Sequence, residues 1–183
     1  MITMKQLILF ALLLAFGSVS AQKINWMTMN EAVAAQAKNP KKIFVDMYTN
    51  WCGPCKLLDR NTFSNEDVAN YINANFYAVK FNAEGNEKIN ANGQSFTNPG
   101  YDPAKASRRN SAHQFTKYMG VRAYPTVLFI DEEGGLINKV KGYRTPQQLE
   151  VYLKFFGTDL WKTIVTQEAF NEYIDSFQPQ FKS

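Results

Sequence analysis

The chain has 183 residues, of which 45% are apolar and 14% aromatic. That is enough for one domain with a real core and too little for two, and it excludes a disordered chain. The formal net charge is +4, and the basic residues are scattered apart from Lys41-Lys42 and Arg108-Arg109. This pattern excludes a nucleic-acid surface and reads both pairs as solvated faces.

The first stretch differs in kind from the rest. Lys5 precedes an uncharged apolar run from Leu7 to Phe16, and Val19-Ser20-Ala21 supplies small residues before a cleavage point. The expectation is a secretory signal peptide over residues 1–21 and a mature chain over 22–183, exported to a periplasm or another extracytoplasmic space. The run is shorter than the ~20 residues that span a bilayer, so stable membrane insertion is not expected.

Thr28-Met29-Asn30-Glu31 has the form of a capping box, and a helix should continue through Ala32 to Lys38 before Asn39-Pro40 stops it. Ile43 to Tyr48 is a short, mostly apolar run that suits a buried central strand. A helical pattern starts around Cys55. Ser64 is expected to cap a further helix over Glu66 to Asn73, and Phe76 to Phe81 reads as the next strand. Residues 83–111 are rich in Asn, Gly and Ser, with little periodicity. They are too long for an ordinary loop, so they are expected to be either functional or disordered. Beyond them come a short helix near Ala112 to Met119, a hairpin of Thr126 to Ile130 with Leu136 to Val140, and a helix from Thr145-Pro146 to about Phe156. A last helical pattern covers roughly Gln167 to Phe177. Alternation followed by a hairpin predicts an α/β fold, a central mixed sheet flanked by helices, with a C-terminal extension over 158–183. Phe63, Phe76, Phe81 and Phe129 are assigned to the core.

The only two cysteines, Cys52 and Cys55, lie in one C-x-x-C. A bridge between them closes a tiny loop and constrains the unfolded chain little, so redox chemistry explains the pair better than stability does. At a helix start the first thiol faces unpaired backbone N–H groups and the positive end of the helix dipole, which favours the nucleophilic thiolate. Cys52 is therefore expected to attack a substrate disulfide and Cys55 to resolve the mixed disulfide. Pro54 suits the first helical turn, and Trp51 shields the sulfurs from water. No metal is expected, because two cysteines and the single histidine, His113, fall short of a four-ligand site. Position 56 is Lys, which excludes the C-x-x-C-H of haem attachment.

Trp51-Cys52-Gly53-Pro54-Cys55-Lys56, directly after an apolar strand, resembles the thioredoxin superfamily. The resemblance runs from about Trp26 to Phe156, apart from the insert. It is strongest to periplasmic thioredoxin-like proteins and to the soluble C-terminal domain of the DsbD reductant carrier. It implies a thioredoxin fold and places Asp46, six residues before Cys52, as a buried acid that takes the proton of Cys55, with Lys80 tuning it. It makes Tyr124-Pro125 a cis-proline loop that, with Trp51, Gly53 and Pro54, receives the substrate, and it matches Gly142 to the glycine after the hairpin. Tyr124 departs from the small aliphatic residue or Thr usual there. The function implied is that of a thiol–disulfide oxidoreductase that reduces protein disulfides, uses no cofactor beyond the Cys52–Cys55 disulfide, and draws on a membrane-borne or other thiol electron donor. An oxidant or isomerase, and a non-catalytic binding module, stand as alternatives. The insert is expected beside the active-site rim, where it restricts which substrates dock.

Overall fold

The computed structural model of the chain describes residues 23–182, so the signal-peptide expectation lies outside the described residues. Five strands form the main sheet: β1 (Trp26–Met27), β2 (Ile43–Tyr48), β3 (Tyr77–Asn82), β6 (Thr126–Ile130) and β7 (Leu136–Lys141), in the spatial order β1-β3-β2-β6-β7. β3 runs parallel to both β1 and β2, and β6 is antiparallel to β2 and β7, so the sheet is mixed as expected. The helices are α1 (Met29–Gln36), α2 (Gly53–Leu58), α3 (Glu66–Asn75), α4 (Gln114–Tyr118), α5 (Pro146–Gly157) and α6 (Gln167–Ser176). α2 runs on into one π turn over Asp59–Phe63.

β2 and β6 are buried on both faces, which is why each reads as a nearly continuous apolar run rather than as an alternation. On one face Phe44, Phe63, Phe76 and Phe129 pack with Leu149, Leu153 and Phe156 of α5. On the other, Val45, Met47 and Phe81 pack with Met29 of α1 and Phe115 of α4.

Local chemistry explains the helix starts. Thr28 and Thr145 each close a reciprocal capping box, with Glu31 and Gln148. The cap of α3 is Asn65, which accepts from the Val68 N–H at 3.1 Å. Ser64 was expected there. The π turn carries the helical path through Phe63, and the Ser64 hydroxyl is used instead on the Arg60 carbonyl.

The insert is ordered. It holds a two-stranded hairpin, β4 (Ile89–Ala91) with β5 (Gln94–Phe96), closed by Asn92-Gly93 at φ 52° and 70°. Positive φ at both central residues is the type I′ geometry that Asn-Gly supplies. Ile89, Ala91 and Phe96 join the core beside Phe115, and Asn30 of α1 pins the hairpin through Lys88 O and Asn90 N. At the base, the Ala83 carbonyl accepts from both His113 N and Thr116 Oγ1.

Lys42 corrects the solvated-face reading of the Lys41-Lys42 pair. It is buried, with its ammonium 2.7 Å from both Glu132 and Asp159, and Lys41 donates to Asn73 O at 2.8 Å. The partners lie 90 and more residues away in sequence, so nothing in the local pattern marks them.

Candidate active site

The redox pair sits where β2 gives way to α2. Cys52 and Cys55 are joined in a disulfide, with Cα atoms 5.3 Å apart. Cys52 is the N-cap of α2, and its sulfur accepts the Cys55 N–H at 3.1 Å. A thiolate at Cys52 meets the same donor, which favours the ionised sulfur. Pro54 lies in the first turn of α2, and Gly53 and Pro54 are exposed. Cys52 and Cys55 expose only 2% and 3% of their surface, so access to the sulfurs is set by their surroundings.

One wall of those surroundings is aromatic. The Trp51 and Tyr124 rings meet edge to face with centroids 6.1 Å apart. The Tyr124–Pro125 peptide is cis, and Pro125 O accepts from Gly142 N, a residue at φ 85°. Burial, reinforced by the charge of Glu84, pushes the Tyr124 phenol up to about 12, so it stays neutral.

Behind the disulfide lies an acid–base chain. Asp46 of β2 is 1% exposed and pairs in register with Lys80 of β3. The Lys80 ammonium bonds Asp46 Oδ2 at 2.9 Å and also bonds Asp59 Oδ1. Asp59 caps the end of α2, and its N–H donates to Cys55 O, so the chain reaches the helix that carries the resolving cysteine. Asp46 Oδ1 has no hydrogen-bond partner. Burial raises the Asp46 carboxyl to about 6 against the pull of Lys80, and the charge of Asp59 adds to the rise. Burial disfavours the Lys80 ammonium, but the two carboxylates more than offset it, and its pKa is raised. The Trp26, Tyr48 and Phe63 rings surround the ammonium at 5.0 to 5.5 Å. Lys80, Asp59, Trp26 and Phe63 line a cleft of about 350 Å³ that gives this chain access to solvent.

The structure thus joins Trp51, beside the disulfide, to the Tyr124-Pro125 loop, and links Asp46 through Lys80 and Asp59 to α2. Sequence reasoning missed Asp59 and Glu84. Asp59 stands four residues after Cys55, one helical turn on, and that spacing was the available signal. Glu84 accepts from Trp51 Nε1 at 2.7 Å and from Asn110 N at 2.8 Å, a contact no local pattern announces. His113 is a structural cap. Its Nδ1 accepts the Phe115 N–H and its Nε2 lies 2.7 Å from Glu87 O, which fixes a neutral ring whose pKa burial lowers. Among the described residues no three His, Cys, Asp or Glu side chains are placed to hold a metal ion, and no helix is long and apolar enough to cross a membrane.

The chain is similar to known proteins. The Thioredoxin-like domain family matches residues 29–157. The chain is 26% identical over 126 residues to the thiol:disulfide interchange protein DsbD of Pectobacterium atrosepticum, covering 68% of this chain and 18% of DsbD. It is 28% identical over 114 residues to the thiol-disulfide oxidoreductase ResA of Bacillus thuringiensis, covering 62% of each. It therefore spans less than two thirds of the length of either relative. A thioredoxin-fold protein from Helicobacter pylori superposes with a TM-score of 0.58 at 15% identity, over 85% of this chain and 88% of that one. A putative disulphide-isomerase from Bacteroides thetaiotaomicron superposes with a TM-score of 0.50 at 28% identity, over 75% and 95%. With its C-x-x-C pair at the start of α2 and 129 of its residues inside the family match, the chain belongs to the Thioredoxin-like domain family.

Proposed function

We propose that this chain is an exported carrier of thiol electrons that reduces disulfides in other proteins. The observation that carries the reading is the pairing of the Cys52 sulfur on the Cys55 N–H with a buried acid, Asp46, whose second oxygen is unoccupied. The Cys52 thiolate attacks one sulfur of a substrate disulfide. A mixed disulfide forms, and the other substrate sulfur leaves as a thiolate. Cys55 gives its proton to Asp46 and attacks Cys52. The second substrate sulfur is released, and the Cys52–Cys55 disulfide holds the oxidation that the substrate has lost. Both electrons come from the two thiols, so no cofactor or metal takes part. In the return half-cycle a donor thiolate attacks Cys52, and the Asp46 carboxyl, protonated up to about pH 6 in the disulfide form, supplies the proton to the leaving Cys55 sulfur.

Lys80 positions and tunes Asp46, with Asp59 as its second partner. Trp51, Gly53, Pro54, Tyr124 and Pro125 form the substrate-docking face. Supporting this, no hydrogen bond among the described residues uses the Tyr124 backbone, which leaves it open to an extended substrate strand. The N-terminal pattern over residues 1–21 supports export. Residues 22–183 then make one domain, with 83–111 inserted and 158–183 appended. The donor is a membrane-borne or other thiol carrier, since an extracytoplasmic space lacks its own NADPH supply.

Cys52→Ser should abolish insulin disulfide reduction, and Cys55→Ala should trap mixed disulfides with substrate proteins. The equilibrium potential against glutathione should lie well below the glutathione pool. A value near about −180 mV, that of an isomerase, overturns the reductant reading. It favours a second reading as an isomerase, to which the likeness to the putative disulphide-isomerase from Bacteroides thetaiotaomicron lends support.

A further inference from the structure

The arm of the insert over residues 97–111 is fastened to the active-site rim at several points. Asn50 Nδ2 donates to Ala106 O at 2.6 Å, and Glu84 ties Trp51 Nε1 to Asn110 N. The Arg109 guanidinium lies over the Trp51 ring, 4.8 Å from its centroid. The far end of the arm is equally fixed. Buried Asn98 donates to Gly85 O and Ser111 O at 2.8 Å each, and Asp102 and Asn110 exchange backbone and side-chain bonds. The arm is therefore a positioned wall beside the docking face.

The arm is net basic, with Lys105, Arg108 and Arg109 against Asp102. Arg109, over the Trp51 ring, and Arg122, two residues before Tyr124, are both exposed. Neither makes an ion pair among the described residues. Two acids lie nearby, and both are hydrogen-bonded. Glu84 holds two N–H donors, and Asp102 bonds the Ala104 N–H and faces Lys105 at 3.4 Å. Because Cys52 is almost fully covered, a substrate disulfide reaches it only along this rim. We propose that the arm selects protein disulfides flanked by acidic residues, with Arg109 and Arg122 as the specificity-determining side chains. The inference rests on the dithiol-exchange reading above and adds the substrate class. Opposite charges across such a rim speed encounter and reject like-charged partners, in a salt-dependent way.

The test uses three synthetic peptides, each with one disulfide, identical except for Glu, Gln or Lys on both sides of the cystine. Reduction by the full-length reduced protein is followed as kcat/KM. The Glu peptide should be reduced about tenfold faster than the Lys peptide at low salt, as two rim charge pairs provide, with the ratio shrinking toward one as sodium chloride is raised. Arg109→Glu should narrow or reverse the ratio, and Arg109→Lys should largely keep it. Equal rates for all three peptides, or a preference that Arg109→Glu leaves intact, overturn the proposal while the exchange reading stands. Failure to reduce any of the three, the neutral Gln peptide included, overturns the exchange reading itself.

Discussion

Asp46 and Glu150 are both carboxylates buried to within 1% of full coverage, and each is paired with a lysine that is 24% exposed. Each lysine also sits over aromatic rings, Lys80 over Trp26, Tyr48 and Phe63 and Lys154 over Phe177 and Phe181. The difference lies in the donors. Glu150 Oε2 accepts the backbone N–H groups of Gln180 and Phe181 at 2.8 Å each, and Oε1 has the Lys154 ammonium at 2.7 Å. Asp46 has no backbone donor; Asp46 Oδ1 and Glu150 Oε1 both lack a hydrogen bond, but Glu150 Oε1 has its lysine beside it and Asp46 Oδ1 has none. A buried carboxylate that holds backbone N–H groups is a fastening, here of the C-terminal segment onto α5. One without backbone donors resists ionisation and is available for proton transfer.

Removing the fastening should have the largest effect on stability. Glu150→Ala strands two backbone N–H groups and a lysine, so denaturant unfolding should show a loss of about 3–5 kcal/mol. The C-terminal segment should become protease-sensitive, while the potential of the Cys52–Cys55 couple stays where it was. If the potential shifts with the stability, the two carboxylates are not separate devices.

Asp46→Asn should do the opposite. Its folded pKa is raised, so the native state binds more protons than the unfolded state between the ordinary carboxylate range and about 6, and wild-type stability falls as pH rises through that window. Above it the charged, buried Asp46 costs up to about 3 kcal/mol. The Asn variant, in which Lys80 keeps Asp59, should be the more stable protein at pH 7.5, and the advantage should vanish near pH 4. Resolution of mixed disulfides should slow by about a hundredfold, as loss of a general base does, and its pH inflection should disappear. A variant no more stable than wild type at pH 7.5 breaks the contrast with Glu150.

Asp59→Asn is the finest probe. The charge of Asp59 raises the Asp46 pKa, and Asp59 competes for Lys80. Its removal should therefore move the inflection of the pH–rate profile below about 6, by less than a unit and with little change in stability. An upward shift contradicts the chain Asp46–Lys80–Asp59.

Much of this was legible in the residues. The capping boxes at Thr28 and Thr145, the strand over 43–48 and the hairpin across Gly134-Gly135 rest on near-neighbour chemistry, and they fall where the patterns put them. Cys52, Cys55, Trp51 and Pro54 were equally plain, because residues 51–55 on one strand-to-helix turn carry their own geometry. The hairpin within the insert was missed. Its strands are three residues each, too short for any periodicity, and only Asn92-Gly93 marked the turn. Lys42 was misread for a related reason, since its acids arrive from distant loops.

On the C-x-x-C site itself, the sequence by itself determined the chemistry: two thiols one turn apart, the first at a helix start, can do little other than exchange disulfides. Only the tertiary structure decided how the site is surrounded. It set Asp59 against Lys80, gave Glu150 two backbone donors and Asp46 none, and laid Arg109 on Trp51. Those contacts join segments that are 20 to 60 residues apart in the chain, where no local propensity acts and the outcome is fixed by how the layers pack.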